Sequence, residues 1–136
     1  MIVVLDANFM LLPFQFRMDI YTLLPSIIPG EKSIVTIRPV IDEIRKKIDN
    51  EPIGSTFIKQ AKAALDLFSM KSNKIIEFPK NLGVSVDDTI LNFALEEQSK
   101  GNPICVATND KKLKETLLKN NIHVVIMRAK KTLEYI

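Results

Sequence analysis

Five short apolar runs, rich in Val and Ile, punctuate this chain, and each is separated from the next by residues with helical spacing. The runs cover residues 2–5, 34–37, 75–78, 104–107 and 123–127. They are nearly continuous rather than alternating, which is the pattern of strands buried on both faces. Between them, Phe57, Ile58, Ala61, Ala64, Leu65 and Phe68 recur at helical intervals behind Ser55, a natural N-cap. Val86, Ile90, Phe93 and Ala94 form a second stripe, closed by Gly101 and Pro103, and Leu113, Leu117 and Leu118 mark a third. Strands alternating with helices predict right-handed crossovers and a parallel sheet in an α/β fold. Residues 9–30 fit this scheme least. They are apolar, carry Pro13, Pro25 and Pro29, and predict a helix around 19–24 whose apolar surplus belongs either to a dimer face or to a buried helix.

A chain of 136 residues with 46% hydrophobic residues suits a single domain, 1–136, with a real core. One cysteine, Cys105, rules out an internal disulfide, and one histidine, His123, with that cysteine cannot build a zinc site. Residues 1–12 lack a basic leader region and are broken by Asp6 and Asn8. No run approaches the roughly 18 apolar residues of a membrane span, so the expectation is a soluble, cytoplasmic chain without a membrane partner. The net charge of +3 is compatible with a nucleic-acid partner without requiring one.

The acidic residues are placed more tellingly. Asp6 and Asp110 follow the first and fourth apolar runs, Glu43 lies on the helix after the second, and Asp87 opens the helix that begins near Val86. In a parallel α/β sheet, ligands bind in the crevice at the carboxyl ends of the strands. Carboxylates gathered there repel one another unless a hard cation joins them, and a cation so held beside basic residues suits chemistry on phosphates.

Angular position separates neighbouring acids. At roughly 100° per residue, Asp87 lies on the flank of the stripe Val86, Ile90, Phe93 and Ala94, whereas Asp88 points nearly away from it. Asp88 also stands three residues after Ser85, a capping-box spacing. Asp87 is therefore expected to face inward and Asp88 outward. By the same geometry, Asp42 opposes the stripe Val40, Ile41, Ile44 and Ile48, while Glu43 lies on its flank. Glu43 could equally serve an i,i+4 ion pair with Lys47, and Asp110 could equally be an N-cap, two roles that can coexist. Glu96 and Glu97 read as solvated surface. The basic residues fall into three groups: Arg45, Lys46 and Lys47, expected on an outer helix face; Lys111, Lys112, Lys114 and Lys119; and Arg128, Lys130 and Lys131. Lys111 and Lys112 directly follow Asp110 and are expected to meet substrate phosphates.

These residues match a family. Leu5-Asp6-Ala7-Asn8 resembles the opening motif of PIN-domain nucleases, with Ala7 where Thr is usual. Val40-Ile41-Asp42-Glu43-Ile44 resembles their second motif, Val86-Asp87-Asp88-Thr89-Ile90-Leu91 their third, and Val106-Ala107-Thr108-Asn109-Asp110-Lys111-Lys112-Leu113 their fourth. The four occur in order over nearly the whole chain.

The resemblance implies a three-layer α/β/α fold with a five-stranded parallel sheet ordered 3-2-1-4-5. It implies an endoribonuclease dependent on Mg²⁺ or Mn²⁺, with Asp6, Glu43, Asp87 and Asp110 catalytic and Asp6, Asp87 and Asp110 holding the metal. Asn8, Asp88 and Thr108 take supporting positions. The partner implied is RNA, single-stranded or structured. The Thr108-Asn109-Asp110 form and the tail at 128–133 are closer to the branch that processes ribosomal RNA. VapC-type toxins share the fold. A homodimer, an antitoxin or a pre-ribosome partner, and a non-catalytic RNA-binding scaffold are alternatives compatible with the same motifs. A receiver-like phosphoacceptor fits less well, because its paired acids follow the first strand, whereas here the pair opens a later helix.

Overall fold

The computed structural model describes residues 1–72, 74–129 and 131–136. Strands β1 (Ile2–Leu5), β2 (Ser33–Ile37), β3 (Ile75–Ile76), β4 (Ile104–Ala107), β5 (His123–Arg128) and β6 (Thr132–Tyr135) form one sheet in the order β3-β2-β1-β4-β5-β6. The first five are parallel in the expected 3-2-1-4-5 order. The helices are α1 (Ala7–Met10), α2 (Leu12–Gln15), α3 (Ile20–Ile27), α4 (Arg38–Asn50), α5 (Thr56–Lys71), α6 (Val86–Ser99) and α7 (Lys111–Lys119), and with the sheet they make three α/β/α layers.

The middle strands are as buried as their continuous apolar sequences demand. Val3, Val4, Leu5, Cys105, Val106, Ala107, Val124 and Val125 are all 0% exposed. Burial pushes the Cys105 thiol up to about 12, so it is an inert core residue. β1 pairs with β2 on one side and β4 on the other, Val4 facing Val35 and Val106. The chain therefore winds from β1 through β2 to β3 on one side and returns to β4 and β5 on the other, so the carboxyl ends of β1 and β4 flank a topological switch point.

Two expectations needed correction at the sheet's edges. A sixth strand, β6, pairs antiparallel with β5 through Met127 and Leu133. The chain turns back after Arg128, where Lys131 donates its backbone N–H to the Arg128 carbonyl at 3.1 Å, and the Arg128 side chain pairs with Glu134. β6 carries little apolar signal because it is an edge strand with one polar side. Lys130, counted among the basic tail residues, lies outside the described residues. At the other edge β3 is shorter than the run 75–78. Phe78 donates its N–H back to the Ile76 carbonyl at 2.9 Å, and Pro79 follows with no N–H for a ladder.

The segment 9–30 folds inward. Phe9, Met10, Leu12, Ile20, Leu24 and Ile28 are buried in the chain's own core, so most of its apolar surplus belongs to buried helices, while Phe14 stays exposed. Asp19 caps α3, accepting the Thr22 backbone N–H at 3.3 Å and the Thr22 hydroxyl at 2.8 Å. Glu97 is also less solvated than expected: its side chain is 14% exposed and accepts from the Asn102 amide at 2.7 Å. Among the described residues no helix is long and apolar enough to cross a membrane.

Candidate active site

Asp6 stands where β1 ends, and it is 4% exposed. A carboxylate so buried must be hydrogen-bonded. One oxygen accepts the Ala7 backbone N–H at 2.7 Å, and the other accepts the Thr108 hydroxyl at 2.7 Å. The Ala7 contribution is a backbone one, so Ala in place of Thr costs Asp6 nothing at that bond. Thr108 is fully buried just past β4, and its hydroxyl oxygen accepts the Asp110 N–H at 3.1 Å. A single hydroxyl thus joins the acid after β1 to the loop that carries the acid before α7. Asp110 accepts the Leu113 N–H at 2.8 Å as the N-cap of α7. Its cap role and its place at the sheet's carboxyl edge therefore coincide, as expected.

The angular expectations hold. Asp87 is half-buried and Asp88 exposed; Glu43 is half-buried and Asp42 exposed. Ser85 caps α6 by accepting the Asp88 N–H at 3.1 Å. That cap fixes the first turn and leaves Asp87 on the inward side.

Asp6, Glu43, Asp87 and Asp110 all line one crevice of about 250 Å³, with Asn8 and Lys47 at its walls. Its electrostatics follow from crowding. Burial raises the Asp6 carboxyl above its ordinary value. The Thr108 and Ala7 donors oppose that rise, and Glu43 and Asp110 add to it. Glu43 is raised by burial, with Lys47 opposing and Asp87 adding. Asp87 is pushed up to about 6, first by burial, then by the charges of Asp6 and Asp110 and by an Asp110 carboxyl near enough to share a proton with it.

Lys47 meets both of its sequence readings. Its side chain is 59% exposed, as expected of the helix face it shares with Arg45 and Lys46, and its ammonium lies 3.9 Å from Glu43 in the i,i+4 pair, at the wall of the crevice. Lys112 lines a shallow hollow beside Asp87, Asp88 and Asp110, and Lys111 is exposed on the first turn of α7. Asn109 contributes away from the crevice, accepting the Met127 N–H at 3.0 Å and tying the loop to β5.

The donor set, all carboxylate oxygen with one cation at the outer limit of pairing distance, suits a hard divalent ion. Among the described residues no three of these side chains already surround a single metal position. The crowding of Asp87 against Asp110 is nevertheless the kind that a proton or a cation relieves.

The chain is similar to known proteins in sequence and in fold. A family profile described as a PIN like domain matches residues 3–130. The chain is 29% identical over 132 residues to Ribonuclease VapC4 of Methanocaldococcus jannaschii, covering 97% of this chain and 94% of that one. Among solved structures, it resembles the PIN domain endonuclease Utp24 with a TM-score of 0.71 at 22% identity, covering 98% of this chain and 90% of that one. It also resembles VapBC2 from Rickettsia felis, bound to a DNA fragment from the promoter, with a TM-score of 0.59 at 18% identity over 93% of this chain and 98% of that one.

Proposed function

The chain belongs to the PIN-like domain family, and from that premise we propose that it is a divalent-metal-dependent endoribonuclease that hydrolyses RNA phosphodiester bonds. The observation that carries this reading is the convergence of four carboxylates, from four separate parts of the chain, on one crevice beside the sheet's switch point. The name of the archaeal relative, a ribonuclease, supports RNA as the substrate.

Asp6, Asp87 and Asp110 would hold Mg²⁺ or Mn²⁺. When bound, such an ion supplies Lewis-acid polarisation of a phosphate oxygen, a more acidic water and charge for the transition state. The chain's own residues do the positioning. Ala7 and Thr108 each satisfy one oxygen of Asp6 and leave further lone pairs toward the crevice. Thr108 also fixes the backbone of Asp110, so the two acids are set relative to each other by one buried hydroxyl. Glu43 would either hold a second ion or orient the attacking water, with Lys47 beside it limiting how far its carboxyl rises. Lys111 and Lys112 contact backbone phosphates at the rim, and Asn8 shapes the mouth. Asp88 supports the first turn of α6.

The cellular role is processing of RNA, including ribosomal RNA, in the cytoplasm. The Thr108-Asn109-Asp110 form and the 128–133 tail favour it. A second reading, a VapC-type toxin ribonuclease held by an antitoxin, is favoured by the name of that relative. Cleavage of an unstructured RNA by pure protein in Mg²⁺ or Mn²⁺, abolished by EDTA, tests the chemistry, and equal cleavage in excess EDTA would refute it. Growth arrest on expressing the wild type but not Asp6→Asn would select the toxin reading over processing.

A further inference from the structure

Next to the acidic crevice lies a larger hollow of about 490 Å³, and Glu43 and Val86 line both. Its floor is apolar: Pro39 at the start of α4, Phe78 and Pro79 after β3, and Val86 at the start of α6. Phe78 is held edge-on against Phe93, with ring centroids 5.2 Å apart and planes at 70°. The rim carries both signs. Arg38 and Glu77 neutralise each other in a 2.6 Å pair, leaving Asp42 and Glu43 to balance Lys46 and Lys80. The two hollows therefore differ in kind. One is a small pocket of carboxylates; the other is wide, apolar and charge-balanced, with both donors and acceptors at its edge.

A charge-balanced apolar hollow is a poor site for a phosphate, which needs net positive charge. It suits a flat, neutral, polar-edged group: apolar residues meet the face, and carboxylates and ammonium groups meet the edge. Its size is in the range of small-ligand pockets. We propose that this hollow receives one unpaired nucleobase of the RNA, next to the phosphate that is cut. Phe78 and Val86 would contact its face, and Asp42 would accept from its exocyclic amine or ring N–H. This rests on the ribonuclease reading, and it adds the requirement that the substrate be unpaired at one defined position. Continuity through Glu43 and Val86 sets the reason: a strand whose phosphate sits among the acids has its neighbouring base beside the Phe78 floor.

The test uses a short unstructured RNA whose cleaved bond has been mapped in millimolar Mn²⁺. A single abasic nucleotide is then walked through it. The expected result is that one position flanking the cut raises KM about tenfold, the order of one missing base stack, while the others matter little. In Phe78→Leu, which keeps apolar bulk against Phe93, and in Asp42→Ala, an exposed position, KM for the intact RNA should rise toward the abasic value. The abasic substrate should be cut by both variants as by the wild type. Methyl NMR of Val86 should shift with the intact RNA in EDTA and not with the RNA lacking that base. If RNA is cleaved but no abasic position matters, or the sensitivity survives in both variants, the hollow is not a base site, and the ribonuclease reading still stands. If nothing is cleaved and no RNA binds, both readings fall together. An unchanged RNA response beside a Val86 shift with a protein partner would assign the hollow to that partner instead.

Discussion

Glu77 and Asp87 sit in adjoining hollows of the same edge of the molecule, and their surroundings push them in opposite directions. Glu77 is 68% exposed and meets Arg38 through two nitrogens, at 2.6 and 3.0 Å, which holds its carboxyl below the ordinary range. Asp87 is half-buried among Asp6, Asp110 and Asp88, and its carboxyl is raised to about 6. The fold is able to supply a guanidinium where it is needed, as Arg38 shows, but among the described residues the one ion pair made by the crevice acids is that of Glu43 with Lys47, at 3.9 Å. Acids held without sufficient counter-charge are a standing cost to the folded state, and such costs concentrate at functional sites. That difference is the physical ground for proposing that the inner cluster, and not the outer acid, takes up a cation.

The sharpest way to break that comparison is to neutralise the inner acid. Asp87→Asn should lower RNA turnover by about a hundredfold or more, the scale on which removal of a positioned electrostatic group acts. Asp88→Asn, on the solvent side of the same turn, should keep most of the activity. Steady-state cleavage assays decide it, and the reverse ranking would mean that Asp87 is not the working acid. The same Asp87→Asn protein, stripped of metal, should melt at a higher temperature than the wild type, because one of the crowded charges is gone.

Next in size is the response to metal and pH. An ion that binds only the folded state raises stability by about 2.7 kcal/mol at a hundred times its dissociation constant, which is several degrees of melting temperature for a chain of this size. Millimolar Mn²⁺ should produce a shift of that order in the wild type and a much smaller one in Asp87→Asn. The metal-free protein should also respond to pH in a particular direction. Asp87 rises from 3.8 unfolded to about 6 folded, so the folded state holds this proton more tightly. That contribution is fully present below about pH 4 and is lost as pH rises through about 6. Calorimetry in EDTA should therefore show the melting temperature falling from pH 5 to pH 7, with the Mn²⁺ shift growing over the same window. A rise across that window would mean the crevice acids are already compensated.

Much of this was legible in the residues. The five Val- and Ile-rich runs announced the parallel strands because burial on both faces leaves no room for polar alternation. Asp87 and Glu43 could be told from Asp88 and Asp42 because helical periodicity converts sequence offset into angle. What escaped detection lacked such a signal. β6 is an edge strand whose Thr132, Leu133, Glu134 and Tyr135 are too mixed to stand out. The hydroxyl of Thr108 joining Asp6 and Asp110 spans more than a hundred positions and depends on the pairing of β1 with β4, which no local pattern contains. The strand order itself followed from family resemblance and not from periodicity.

A smaller effect is expected at the basic rim. Changing Lys111 and Lys112 together to Ala should weaken binding to all single-stranded RNAs alike. It should also flatten the dependence of log affinity on log salt, by about 0.7 for each phosphate no longer neutralised. Stability should change little, because both are exposed and Ala is a good helix former. Fluorescence anisotropy across a salt series measures this. A changed cleavage sequence would instead show that these lysines touch bases.

The smallest effect belongs to the outer pair, and it completes the contrast with Asp87. Glu77→Gln removes a carboxylate that is lowered by Arg38, so its contribution to stability runs the other way with pH. It is present above the unfolded value of 4.5 and is lost as pH falls below it. Because both partners are largely solvated, screening leaves little of it at physiological salt. The variant should melt within error of the wild type at pH 7 and should lose slightly less stability than the wild type on acidification below pH 4.5. Its Mn²⁺ shift should be unchanged, because Glu77 does not line the acidic crevice. A Glu77→Gln protein whose Mn²⁺ response fell as far as that of Asp87→Asn would show that the two hollows form one electrostatic unit. The division between a compensated outer acid and an uncompensated inner cluster would then fail.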